Sequence, residues 1–185
     1  MKIHFKYSSV FDELLSEMSL SPYTSKQKNF MVAYVDKLSK DWGKDESKII
    51  KEIEKVSGMK FKYEKIPCFV VKNMGFEAIS YPLTIKALDI KKTKQVLIHE
   101  LIHVILKDDK KLLSLLGKIK ADEEEKVHLP VLLVQRKVTE NLYGKKAFDE
   151  FLNYEFNDDL EDSLELIKKF NDFEKNVLKY LKRKI

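Results

Sequence analysis

Val96-Leu97-Ile98-His99-Glu100-Leu101-Ile102-His103-Val104-Ile105-Leu106 is the stretch on which the reading of this chain turns. Eight of its eleven residues are aliphatic. A helix apolar on nearly every side belongs in a core. Three polar side chains interrupt it: His99, Glu100 and His103. The histidines are four apart, so one helical face presents both imidazoles to a common point. Glu100 lies roughly 100° further round the wheel from His99. A carboxylate and two imidazoles are costly in a core without partners. A metal ion and its water supply such partners. The pattern His-x-x-x-His with Glu after the first histidine suits zinc, the carboxylate reaching the metal's water as a general base.

Two histidines leave a zinc site one protein ligand short. The candidates lie downstream, on a helix expected from about Glu123 to Tyr143 with Pro130 near its start or kinking it. Its apolar face carries Val127, Val131, Val134, Val138 and Leu142. Glu124 falls at the edge of that face and leads. His128 follows Glu124 by four and comes second. Glu140 is third, because Arg136 at i−4 accounts for it as a surface ion pair. Both Glu124 and His128 can serve together, one as ligand and one as its orienter or as an oxyanion donor.

Upstream of the motif the periodicity changes. Lys2 to Tyr7 alternates, with Ile3, Phe5 and Tyr7 on one face and His4 on the other, as in a half-buried strand. Val10 to Met18 reads as a short amphipathic helix, broken at Ser21-Pro22. A helix from about Ser25 to Trp42 is expected to carry a stripe of Phe30, Tyr34 and Leu38 and to stop at Gly43. Asp45 caps another, to about Val56. Met59, Phe61 and Tyr63 alternate as in a strand. Ile66 to Val71 is apolar on both faces and reads as a central strand. Ala78 to Ile85 alternates again, and Pro82 assigns it to a sheet edge. The motif helix is expected over about Lys92 to Lys107, with Thr93 as its cap. Beyond Tyr143, helices are expected over Lys145 to Phe156 and over about Leu160 to Lys184, with a short apolar turn earlier at Leu112 to Leu116.

The expected fold class is α+β. A small mixed or antiparallel sheet lies with an edge strand beside the buried motif helix, and a helical C-terminal half follows. One domain over 1–185 is expected, with a mainly helical part at 1–58, sheet and motif helix at 59–107, and a helical part at 108–185 supplying the third ligand. Hydrophobic content of 44% is ample for a core, and five Gly and four Pro in 185 residues favour helix. The net charge of +5 is dispersed, and no aromatic-and-arginine groove marks a nucleic-acid binder. The single Cys68 excludes an internal disulfide and reads as a buried hydrophobe. The N-terminus turns polar too soon for a signal peptide, and no apolar run reaches the ~18 residues that span a bilayer. The expected setting is cytoplasmic, with no membrane partner.

On these residues the chain resembles the zincin metallopeptidases, and within them the gluzincin-like group. The shared layout is an edge strand (Ala78 to Ile85), an HExxH helix (His99 to His103) and a helix bearing an acidic third ligand (Glu124). It covers about residues 59 to 143. The resemblance implies that His99 and His103 ligate one zinc ion, that Glu100 activates water, and that the strand before the helix templates an extended peptide. The HExxHxxGxxH extension of the metzincins and the Asn-Glu-x-x-x-Asp pattern of thermolysin-like enzymes are both absent. The run Glu123 to Val127 is similar to that of small intracellular and phage-associated HExxH proteins, including the ImmA/IrrE-like group. The function so implied is zinc-dependent hydrolysis of a peptide or protein substrate. The alternative is a zinc-binding regulatory or interaction protein of the same fold without turnover. In so small a zincin the segment after Asp159 is a candidate cover for the cleft.

Overall fold

A computed structural model of the chain describes residues 1–18, 23–109, 112, 114, 123–148 and 150, with the backbone alone at 123–125. The expectations for Ser21-Pro22, for the apolar turn beyond Leu112, for the far end of the 145–156 helix and for the 160–184 helix fall outside these residues. The chain forms two compact units, residues 1–48 with 61–104, and residues 49–60 with those from 105 on. The fold is α+β, with a four-stranded mixed sheet and helices.

The first unit holds the sheet, in the order β1-β2-β4-β3. Strands β1 (Lys2–Tyr7), β2 (Lys65–Val71) and β4 (Leu83–Lys86) run parallel, in register at Ile3↔Ile66 and Phe69↔Thr84. Strand β3 (Ala78–Ser80) joins β4 antiparallel and forms an edge. β2 is central, as its two-faced apolar run requires, and Cys68, Val70 and Val71 are wholly buried.

The expected strand from Ala78 to Ile85 is instead two strands joined at Tyr81-Pro82. Proline cannot donate to a ladder, so pairing breaks there and the two halves fold onto each other. Residues 59–64 form no strand. The ladder with β1 starts only at Lys2↔Lys65, and β4 pairs with β2 only from Phe69, so no strand among the described residues pairs with the earlier alternation.

Helix α1 (Ser9–Met18) is present, but its buried side is polar. Asp12 and Ser16 are buried while Val10, Leu14 and Met18 are exposed. The cause lies at the end of β2, where the Lys72 and Asn73 N–H groups both donate to Asp12 Oδ1 at 2.8 Å. Two inward-facing backbone donors need an acceptor more than the core needs one more aliphatic side chain. The same carboxylate, after burial and the Tyr23 hydroxyl, raises the Tyr7 phenol's pKa.

Helix α2 (Ser25–Ser57) is one helix of 33 residues, where two were expected. Gly43 does not stop it. A lone interior glycine costs only about 1 kcal/mol. Around it Trp42 buries almost completely and donates from Nε1 to Glu46 Oε1 at 3.0 Å, across the glycine. The helix ends at Gly58, whose φ of 66° is left-handed. Phe30, expected on the buried stripe, is exposed, and Met31, Leu38 and Trp42 carry that face. Glu46 Oε1 also accepts the Ile3 N–H at 2.7 Å, so α2 fixes the start of β1.

Helix α3 (Ile90–Leu106) carries the motif and begins earlier than expected. Asp89 caps it, accepting the Lys92 N–H on Oδ1 at 3.0 Å and the Thr93 N–H on its carbonyl at 2.9 Å. Thr93 is inside the helix, fully buried, its hydroxyl 2.6 Å from that of Tyr34 on α2. Burial raises the Tyr34 pKa. Lys94 reaches Asp45 at 2.9 Å and Asp41 at 3.1 Å, a further tie between α3 and α2.

In the second unit, helix α4 (Glu123–Tyr143) runs through Pro130 rather than starting there. The proline removes the N–H that would bond the Lys126 carbonyl, and its ring crowds that carbonyl. Val131, Val134 and Val138 are buried as expected, together with Leu129, Leu132 and Leu133, whereas Val127 is exposed. Asn141 Nδ2 donates to Glu52 Oε1 at 2.7 Å, tying α4 to the last turns of α2. Gly144, with φ 91°, ends α4, and residues 146–148 are helical again. No helix among the described residues is long and apolar enough to cross a membrane.

Candidate metal centre

The motif helix is as buried as its composition demands. Leu97, Ile98, Leu101 and Ile102 have no exposed surface, and each contributes about 1.5–3 kcal/mol by leaving water. That burial fixes the helix's rotation, and the rotation fixes where His99 and His103 point. Their Nε2 atoms are 3.0 Å apart, with ring centroids at 4.8 Å and planes at 64°. The rings therefore converge edge to edge rather than stack. Zinc–nitrogen bonds of about 2.0–2.1 Å at a tetrahedral angle would separate two ligand nitrogens by about 3.3–3.4 Å. The observed spacing is a few tenths of an ångström short of that. It is also a hydrogen-bond distance, with the donor set by the tautomers.

Glu100, next on the helix, is 8% exposed, as is His99. Ser80, the last residue of β3, donates its hydroxyl to Glu100 Oε2 at 2.5 Å. From the central strand, Cys68 senses the same carboxylate. Burial pushes its thiol pKa up, and the Glu100 charge adds to the rise. The raised pKa favours the protonated thiol, in keeping with the apolar run that Cys68 belongs to.

His99 and His103 present two ligand nitrogens to a common point within the first unit. His128 is the second-ranked sequence candidate. Glu124, the first-ranked, has its backbone one helical turn before His128 on α4, and its side chain is outside the described residues. Glu140 lies twelve residues beyond His128, about 18 Å along the helix. It pairs with Arg136 Nε at 3.1 Å and approaches Lys137 Nζ at 3.8 Å, the surface ion pair expected of it.

The donor chemistry fits a divalent ion. Imidazole suits zinc, and nitrogens brought together by one turn of a buried helix need little rearrangement to share it. Ser80 is the functional candidate that sequence reading missed. Alternation alone places it on a strand face beside Ala78, Pro82 and Thr84, and nothing in its spacing points to a residue twenty positions away. Comparison with protein families, with curated proteins and with solved structures finds no match to this chain.

Proposed function

We propose that this protein is a zinc-dependent metallopeptidase. The observation that carries the reading is the convergence of His99 and His103 at 3.0 Å beside the buried Glu100 carboxylate. In this reading the third ligand comes from α4, with His128 as the nitrogen candidate and Glu124 as the acidic one. Zinc, when bound, supplies Lewis acidity, making a ligated water acidic enough to lose its proton near neutral pH and polarising a carbonyl. The remaining chemistry belongs to the chain. Glu100 accepts the proton of the attacking water and returns it to the leaving nitrogen as the peptide bond breaks.

A peptide substrate suits the neighbouring edge. The Lys86 N–H donates to the Glu77 carbonyl at 2.7 Å, so Glu77↔Lys86 is a hydrogen-bonded pair. In an antiparallel ladder such pairs alternate, which makes Ile79↔Thr84 the next. Ala78 and Ser80 then direct their N–H and C=O groups away from β4, towards an edge that no other strand among the described residues pairs. An extended peptide can pair with those groups and lie beside Glu100.

The test is metal analysis of the full chain, followed by hydrolysis of an unfolded protein or a mixed peptide pool. About one zinc per chain is expected. Glu100→Gln is expected to keep the metal and lose ~10²–10⁴-fold in rate. Full activity in that variant removes Glu100 from the mechanism, and metal-free native protein removes the proposal. Zinc without turnover on any peptide would favour the alternative, a zinc-binding interaction protein.

A further inference from the structure

We infer that Ser80 is a positioning residue for Glu100, holding the base from the strand that receives the substrate. The inference rests on the peptidase reading and deepens it. Ser80 serves two directions at once. Its hydroxyl donates to Glu100 Oε2 at 2.5 Å, a short contact to a carboxylate that is 8% exposed. Its backbone, by the ladder parity above, faces the side of β3 that no other strand among the described residues pairs.

The two ends of this contact are anchored differently. Glu100 sits on a helix fixed by its fully buried neighbours Leu97, Ile98, Leu101 and Ile102. Ser80 ends a strand of three residues, next to Tyr81, which is 75% exposed. A glutamate has three side-chain torsions, so a fixed helix does not by itself fix the carboxylate. A hydroxyl on one oxygen selects a rotamer and sets the direction in which the carboxylate faces the imidazole pair. Because Ser80 lies on the edge strand, the base is aligned to the same element that aligns the scissile bond. Misplacement of a reacting group by about 1 Å can cost 10²-fold in rate.

The experiment compares wild type, Ser80→Ala and Ser80→Thr as full-length, zinc-loaded chains. Ser80→Ala is expected to retain its zinc and to keep KM within about twofold, with kcat reduced at least tenfold. Ser80→Thr, which keeps the hydroxyl, is expected to recover most of that loss. Crystal structures of wild type and Ser80→Ala give a readout independent of activity, with one Glu100 rotamer expected in the first and several in the second. Unchanged kcat in Ser80→Ala overturns the inference. So does a loss that follows zinc content, or one that Ser80→Thr does not repair. If wild type carries zinc but cleaves no peptide, the peptidase reading fails by itself. The crystal comparison then still decides whether Ser80 positions the carboxylate, and an unmoved Glu100 in Ser80→Ala overturns that as well.

Discussion

Two helices of the first unit each bury a carboxylate, and they do so for different ends. Asp12 on α1 is wholly buried and accepts two backbone N–H groups from the end of β2. Glu100 on α3 is nearly as buried, accepts a side-chain hydroxyl, and stands beside a converging pair of imidazoles. Backbone donors belong to the fold and cannot be withdrawn without bending the chain. A hydroxyl and two ring nitrogens are side-chain groups, able to exchange protons and to share an ion. Burial alone therefore does not mark a reactive acid. What distinguishes the two is the chemistry of the groups that face each one.

The comparison breaks most sharply at the imidazoles. His99→Ala or His103→Ala is expected to reduce bound zinc from about one per chain to a tenth of that or less, measured by metal analysis after dialysis. Zinc retained at full stoichiometry in both variants would separate the histidine pair from metal binding. Asp12→Ala should act on stability instead. Leaving two buried N–H groups without an acceptor is expected to cost about 2–3 kcal/mol in urea unfolding, with zinc content unchanged. A loss of metal without a loss of stability would reverse the roles assigned to the two acids.

The smallest effect is expected at the tie between α3 and α2. Lys44 and then Lys94 hold the Asp41 carboxyl below its usual pKa. A lowered folded-state pKa gives stability that is present above the unfolded value near pH 4 and is lost as pH falls through the folded one. Lys94→Met should cost less than about 1 kcal/mol at neutral pH, because Asp41 and Asp45 are partly solvated. It should also flatten the decline of stability below pH 4. An acid-unfolding profile identical to wild type would remove that ion pair from the stability of the fold.

Local periodicity gave a good account of what is local. The strand at Lys2 to Tyr7, the central strand through Cys68, the buried motif helix and the 123–143 helix all stand where their patterns place them. Readings failed where a distant group decided the outcome. Gly43 looked like a stop, but Glu46 and Trp42 bridge it, with Trp42 packed against Phe5 of β1. Thr93 looked like a cap, but its hydroxyl is engaged by Tyr34 from 59 residues away. Val10 to Met18 is a helix as its pattern predicts, but the donors at Lys72 and Asn73 turn Asp12 inward and leave Val10, Leu14 and Met18 exposed.

By itself the sequence determined that two imidazoles and a carboxylate share one turn of a helix too apolar to lie at a surface. The helical repeat and hydrophobic burial act over a few residues, so both are written in the local order of side chains. Tertiary structure alone decided that Ser80 of the edge strand meets that turn and that Cys68 of the central strand lies within reach of the Glu100 charge. Those meetings depend on strand register and helix packing between residues far apart in the chain, and no local pattern encodes them.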